Sequence, residues 1–296
     1  YPKALDLLDL AAALLERVHD KGARLRFRAN RAIALWYAGR LDEAEAEFRA
    51  AIDGGRAQGN TRLVRIASGN FAGLLFQRGK KPEAEAMWQD ALAMHRQARD
   101  PLFEGVVLGN LANLCSEAGR YDEAESLFRR ALETQRATGN RRSEGITLGN
   151  LAGMYMRQQR ISDAENPLAA SIAILREVGD RRSEGMNVGN LATLRRQQGR
   201  LAEARELNEV YLERAREFGD RRHEGYCLCN QGMLLLAQGD VAQARHTWRC
   251  GYDLLVSQGD HDWAAEYVRR MRQECRQAGR PPLDDGVLPC APDPAR

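Results

Sequence analysis

Apolar residues fall along the chain in clusters spaced three and four positions apart, and the whole pattern returns every 40 residues. Such spacing marks one face of an amphipathic α-helix, not the alternation of a half-buried strand. Asparagine stands at Asn30, Asn70, Asn110, Asn150, Asn190 and Asn230, and a small residue follows two places on at Ala32, Ala72, Ala112, Ala152, Ala192 and Gly232. Alanine recurs at Ala44, Ala84, Ala124, Ala164, Ala204 and Ala244. A large apolar residue lies four further on at Phe48, Trp88, Phe128, Leu168 and Trp248, with Asn208 breaking the rule. Glycine punctuates the repeat at Gly39, Gly79, Gly119, Gly199 and Gly239, with Gln159 once in its place, and an Asn or Asp closes it from Asn60 to Asp260.

Each repeat therefore predicts two helices. The closing Asn or Asp is a good N-cap for the next first helix, and Pro101 after Asp100 suits the first helical position. Gly39 and its equivalents predict left-handed caps that stop the first helix. The second helix opens with an acidic turn: Asp42-x-x-Glu45 and Asp122-x-x-Glu125 resemble capping boxes, and Ser162-x-x-Glu165 matches one. Neither helix carries enough apolar surface to fold alone, so stacked neighbours must bury it. Residues 1–20 align with a second helix whose first helix is absent, which predicts a truncated repeat in a chain cut from a longer protein. Six full repeats follow over 21–260. Residues 261–280 align with a first helix, Arg270 replacing the asparagine, and predict a C-terminal cap; Pro281-Pro282 then lead into a Pro-rich tail over 281–296.

Composition narrows the function. Of 9 prolines in 296 residues, five lie in the last 16, which argues against a β-sandwich, a disulfide scaffold or a collagen-like chain. Lys+Arg 44 against Asp+Glu 41 gives +3, too balanced for a nucleic-acid coat, and no apolar run approaches the length of a membrane span. The six cysteines, Cys115, Cys227, Cys229, Cys250, Cys275 and Cys290, form no CxxC pair and predict free buried thiols in a reducing, cytoplasmic setting. No nucleotide loop, nucleophile elbow, His-Glu-x-x-His or dinucleotide fingerprint occurs, and the five histidines share no ligand spacing. No catalytic residue, metal site or cofactor is expected.

In one repeat Leu108, Leu111, Ala112, Gly119, Ala124, Phe128 and Ala131 resemble the tetratricopeptide motif. The 40-residue length, with phrases such as Gly149-Asn150-Leu151 and Gly179-Asp180-Arg181-Arg182, is most similar to the arrays of Pins-type adaptors, kinesin light chains and bacterial regulators. The resemblance covers about 1–280 and implies an all-α fold, an α-solenoid of antiparallel helix pairs wound as a right-handed superhelix. Arg31 and Gln231 depart from the usual Leu, and Pro167 inside a second helix predicts a kink.

Four repeats carry adjacent glycine and asparagine: Gly69-Asn70, Gly109-Asn110, Gly149-Asn150 and Gly189-Asn190. Each pair gives up about 1.5 kcal/mol of helix propensity. One reading is packing between repeats, the glycine permitting close approach and the amide bonding a neighbour. The other is a concave groove in which glycine admits a ligand and the amide matches a peptide unit with one donor side and one acceptor side. The resemblance implies the second, an asparagine ladder holding peptide backbone at Asn70, Asn110, Asn150 and Asn190, with Asn30 and Asn230 at its ends. First helices about 10 Å apart and a strand rise of about 3.3 Å give one asparagine per three ligand residues, or roughly 15 residues over six repeats.

The same register places an apolar row at Ile66, Val106, Ile146, Met186 and Tyr226 in the groove, beside a mixed row at Trp36, Phe76, Ser116, Met156, Arg196 and Leu236. Arg157 lies next to that row in a polar middle. Arg141-Arg142, Arg181-Arg182 and Arg221-Arg222 form either an anion-binding edge or i,i+3 pairs with Glu144, Glu184 and Glu224. The expected activity is non-catalytic capture of a protein or extended peptide segment, with no nucleic-acid or membrane partner. Alternatives are a regulatory sensor acting on another domain of the same parent chain and a purely structural or self-associating solenoid.

Overall fold

The 40-residue phase becomes a chain of 17-residue helices joined by three-residue turns, Arg221–Gln238 with 18 residues and a two-residue turn excepted, as described for residues 20–284 of a computed structural model. The chain forms two compact units divided between Thr147 and Leu148. The first contains α1 (Lys21–Tyr37), α2 (Leu41–Ala57), α3 (Thr61–Gln77), α4 (Lys81–Gln97), α5 (Pro101–Glu117), α6 (Tyr121–Ala137) and the start of α7 (Arg141–Arg157). The second contains the rest of α7 and then α8 (Ile161–Glu177), α9 (Arg181–Gln197), α10 (Leu201–Glu217), α11 (Arg221–Gln238), α12 (Val241–Ser257) and α13 (His261–Gln277). No strand occurs among the described residues, and successive helices pack in pairs, an all-α solenoid. The truncated repeat and most of the tail read from sequence lie outside the described residues.

Local chemistry sets the turns. Gly39 has φ 79°, its N–H donates to the Trp36 carbonyl, and the next N–H, of Arg40, reaches back to Leu35. This Schellman closure satisfies carbonyls that the helix end leaves free. The residue that completes it also begins the next helix. Asn60, Asn140, Asp180 and Asp220 accept from the N–H three residues on, as the cap reading predicts. Asp100 and Asp260 make no such cap bond, and their carboxylates pair with Arg65 and Arg222.

Second helices start differently from the expectation. Their N-caps include Arg40, Arg120 and Arg160, none of which makes a side-chain cap bond, and Ser162 already lies within α8. The capping boxes do not form: Arg40 and Arg120 instead bond Glu43 and Glu123, and the acids read as box partners are drawn to other arginines, Glu45 to Arg49 and Arg78, Glu165 to Arg195. Helix α8 continues through Pro167 over 17 residues.

The core follows the repeat. Ala32 and Ala44, like Ala72 and Ala84, are fully buried and let paired helices approach; Phe48, Trp88, Phe128, Leu168 and Trp248 fill the space behind them. In the last pair, Gly232 and Gly251 replace side chains where backbones nearly touch, and a Cβ on Gly251 would meet the Cys229 amide nitrogen at 2.6 Å. Of the cysteines in the described residues, Cys115, Cys227, Cys229 and Cys275 are buried and Cys250 is exposed, against the uniform burial expected. No helix of the described residues is long and apolar enough to cross a membrane.

Candidate functional site

In the first unit the groove positions of α1, α3 and α5 converge on a cavity of about 280 Å³. Trp36, Phe76 and Trp88 supply aromatic surface; Asn70, Asn110 and Asn113 supply amides; Gly69 and Gly73 leave it open. Each aromatic is fixed. Trp36 donates through Nε1 to Gln77 Oε1, stacks on Tyr37 at 5.7 Å, and lies across Gly73, where a Cβ would come within 2.7 Å of the ring. Trp88 Nε1 donates to the Gly69 carbonyl at 3.0 Å, and its ring sits 5.7 Å from Phe76. The amides are not engaged: among the described residues Asn70, Asn110 and Asn113 form no side-chain hydrogen bond, and all three are half-buried. A fixed apolar floor with free donors and acceptors above it is chemically suited to a peptide segment bearing an apolar side chain.

The other sequence-derived positions divide between the units. Asn30 is exposed and Ile146 half-buried in the first unit. In the second, Asn150 and Met156 are half-buried, Arg157 is exposed and Met186 is 44% exposed. Two of the asparagines here have a side-chain neighbour, though Asn190 is exposed and Asn230 half-buried. Asn190 donates to Asn187 Oδ1 at 3.5 Å, and Asn230 accepts from the Tyr267 hydroxyl at 3.4 Å, both at the weak end of hydrogen bonding. Arg196 is committed, its guanidinium donating twice to the Glu274 carboxylate of α13.

The glycines beside the asparagines also separate. Gly69 is open, its nearest neighbour Val107 at 4.0 Å from a built Cβ. Gly109, Gly149 and Gly189 are buried, and Cβ atoms there would meet Thr147 at 3.1 Å, Asn187 at 2.4 Å and Tyr211 at 2.4 Å. At these three positions the missing side chain makes room for a neighbouring residue. Asn113, Gly73 and Trp88 were not anticipated as cavity residues. Asn113 and Gly73 lie three positions after Asn110 and Asn70, the helical spacing that shares a face, which was the available signal.

Arg141, Arg182, Arg221 and Arg222 are spent on ion pairs. Arg141 and Arg221 bond Glu144 and Glu224 as the spacing predicts, whereas Glu184 is bound by Arg176 and Arg214. Arg136 and Arg216 add the same link from the end of one second helix to the next first helix. These nearly buried carboxylates hold neighbouring repeats together. Burial pushes the Cys115 thiol up to about 11, which leaves it unreactive at neutral pH.

A family model for the tetratricopeptide repeat matches residues 63–137, 103–177 and 143–217, and a second model for the same repeat matches 25–50 and 225–249. No curated protein matches the chain. Among solved structures it is similar to BtubC of P. vanneervenii at 18% identity and TM-score 0.60, over 74% of this chain and 92% of that one. A signal transduction ATPase with a tetratricopeptide repeat sensor from Pyrococcus horikoshii aligns at 17% identity and TM-score 0.63, over 92% of this chain and 42% of that protein. A Rap protein complexed with competence and sporulation factor aligns at 12% identity and TM-score 0.67, over 93% and 80%.

Proposed function

The chain belongs to the tetratricopeptide repeat family, and from that premise we propose that it captures an extended peptide segment of a partner protein on its first helices. The family fold makes it a protein-interaction or sensor module. The finer reading is carried by one observation: Asn70, Asn110 and Asn113, all without intramolecular partners, line the same cavity as Trp36, Phe76 and Trp88. Half-buried amides beside an apolar floor stay open to bond a ligand that brings its own donors and acceptors. An apolar side chain enters among the aromatics while Asn70 and Asn110 take the flanking backbone. The Rap complex, in which a protein of similar fold is bound to competence and sporulation factor, is in keeping with this use.

A second reading is favoured by the sensor of the Pyrococcus ATPase, since the chain spans 42% of that protein. In it, the same groove receives a segment of the parent chain. Either source uses the same residues.

Panning a randomised linear peptide library on the full chain, then repeating capture with Asn70→Ala plus Asn110→Ala, tests the proposal. Loss of about two hydrogen bonds should weaken selected peptides by roughly 30-fold. The variant should unfold no more easily, since alanine exceeds asparagine in helix propensity by about 0.6 kcal/mol. A library that yields no binder, or binders held equally by the double variant, overturns it.

A further inference from the structure

The first-helix face that forms an open cavity in the first unit is covered on α11 in the second. Gly73 and Phe76 of α3 line that cavity, whereas their counterparts on α11, Met233 and Leu236, are 3% and 4% exposed. Both belong to one buried cluster with Tyr267 and Met271 of α13. The cover is therefore the last helix of the array. Every earlier first helix is followed by a second helix, but among the described residues only a turn follows α13, with Leu283 buried in it. A terminal element of a repeat array has a neighbour on one side only and is the first to open.

Two departures from the repeat fasten it. Glu274 stands where the earlier first helices carry Ala34, Leu74, Leu114, Met154, Leu194 and Leu234. Arg196 stands where Trp36 and Phe76 line the cavity of the first unit. The two meet although 78 residues separate them, and both terminal nitrogens of Arg196 donate to the Glu274 carboxylate, Nη2 at 2.9 Å. In the order of the array α11 lies between α9 and α13, so the pair ties first helices that are not neighbours. Their side chains are 10% and 30% exposed, which shields the pair while leaving one side of it to water and salt. The start of α13 is anchored separately, by Asp260 on Arg222 and Tyr226. Its far end has Glu274 and one bond from Arg280 to the Leu236 carbonyl at 2.8 Å.

We infer that the Arg196–Glu274 pair is a latch that holds α13 down over the groove face of α11. In the open form the pair is broken and α13 lifts at its C-terminal end about the Asp260 anchor. Removing one partner leaves the other charge shielded and unpaired, which favours that opening. With the first-helix face read as the capture surface, α13 is an autoinhibitory cover for its α11 portion; that consequence rests on the proposed function, and the latch itself does not.

Thiol labelling of the full chain with a maleimide tests the latch without any peptide. Cys275 of α13, 1% exposed, reports the lifted helix. Exposed Cys250 gives the rate of an open thiol, and buried Cys115 in the first unit reports general unfolding. Raising NaCl from about 0.05 M to about 1 M shortens the screening length to about 3 Å and should speed Cys275 labelling roughly tenfold, with Cys115 unchanged. Glu274→Gln should label Cys275 rapidly at both salt concentrations. The reversed pair, Arg196→Glu with Glu274→Arg, should restore the slow rate and its salt dependence. Equal Cys275 rates in wild type and Glu274→Gln overturn the inference, as does a reversed pair that labels as fast as Glu274→Gln. A rise at Cys115 matching that at Cys275 overturns it too, because the pair is then ordinary repeat packing.

Discussion

At the scale of single residues, the adjacent glycine and asparagine show how one sequence phrase serves two ends. Gly69 faces the aromatic cavity with nothing closer than 4.0 Å to a built Cβ, whereas Gly189 has the buried Tyr211 ring where its Cβ would stand. Gly69→Ala should therefore raise the unfolding free energy by about 1 kcal/mol through helix propensity alone, yet weaken peptide capture because a methyl enters the cavity. Gly189→Ala should lower it by about 1–3 kcal/mol, since Tyr211 cannot move without disturbing the packing around it. Urea denaturation of the two variants separates these signs. The phrase was legible in the sequence, but its meaning was not. Whether a glycine admits a ligand or a neighbour depends on Val107, Asn187 or Tyr211, residues that lie on other helices and vary from repeat to repeat.

At the scale of elements, the turns were the most legible part because they are local. A left-handed residue followed by a cap residue specifies a Schellman closure without help from the rest of the fold. Two turns depart from glycine: Arg99 at φ 49° and Gln159 at φ 59°. A non-glycine residue in that region costs about 1–2 kcal/mol. Arg99→Gly and Gln159→Gly should each stabilise the chain by about 1 kcal/mol, less the extra entropy of glycine when unfolded. A rise in the urea midpoint with unchanged m-value is the expected readout, and a fall in both variants would show that the closures hold no strain. Second-helix starts were misread because acidic residues there answer to arginines from other repeats. Arg78 on Glu45 and Arg195 on Glu165 outbid a local box. The latch of the second unit was half legible: Arg196 and Glu274 each break the repeat, but only folding brings them together.

At the scale of the whole molecule, repeat stability is a sum of local and nearest-neighbour contributions, so a buried titratable group weakens its own neighbourhood first. The first unit holds His95, 1% exposed, stacked on Phe103 and 3.3 Å from Asp100. Burial lowers its pKa from 6.5, outweighing the pull of Asp100. The unfolded chain then binds the proton more readily, so the stability this ring contributes is complete above about pH 6.5 and is lost as pH falls below it. The second unit holds Asp220, which burial pushes upward but which the His223 ring and its own backbone bonds bring down to about 2. Its contribution persists until pH falls through the ordinary carboxylate range near 3.8. Acid should thus loosen the helices around His95 at a pH where those around Asp220 remain intact. Amide protection factors at pH 7 and pH 5 should fall in α4 and α5 and hold in α10 and α11. His95→Gln, which installs the residue found one repeat later at Gln135, should flatten the change in α4 and α5. If protection in α4 and α5 is lost equally in the variant, the acid sensitivity arises elsewhere and His95 is a packing residue alone.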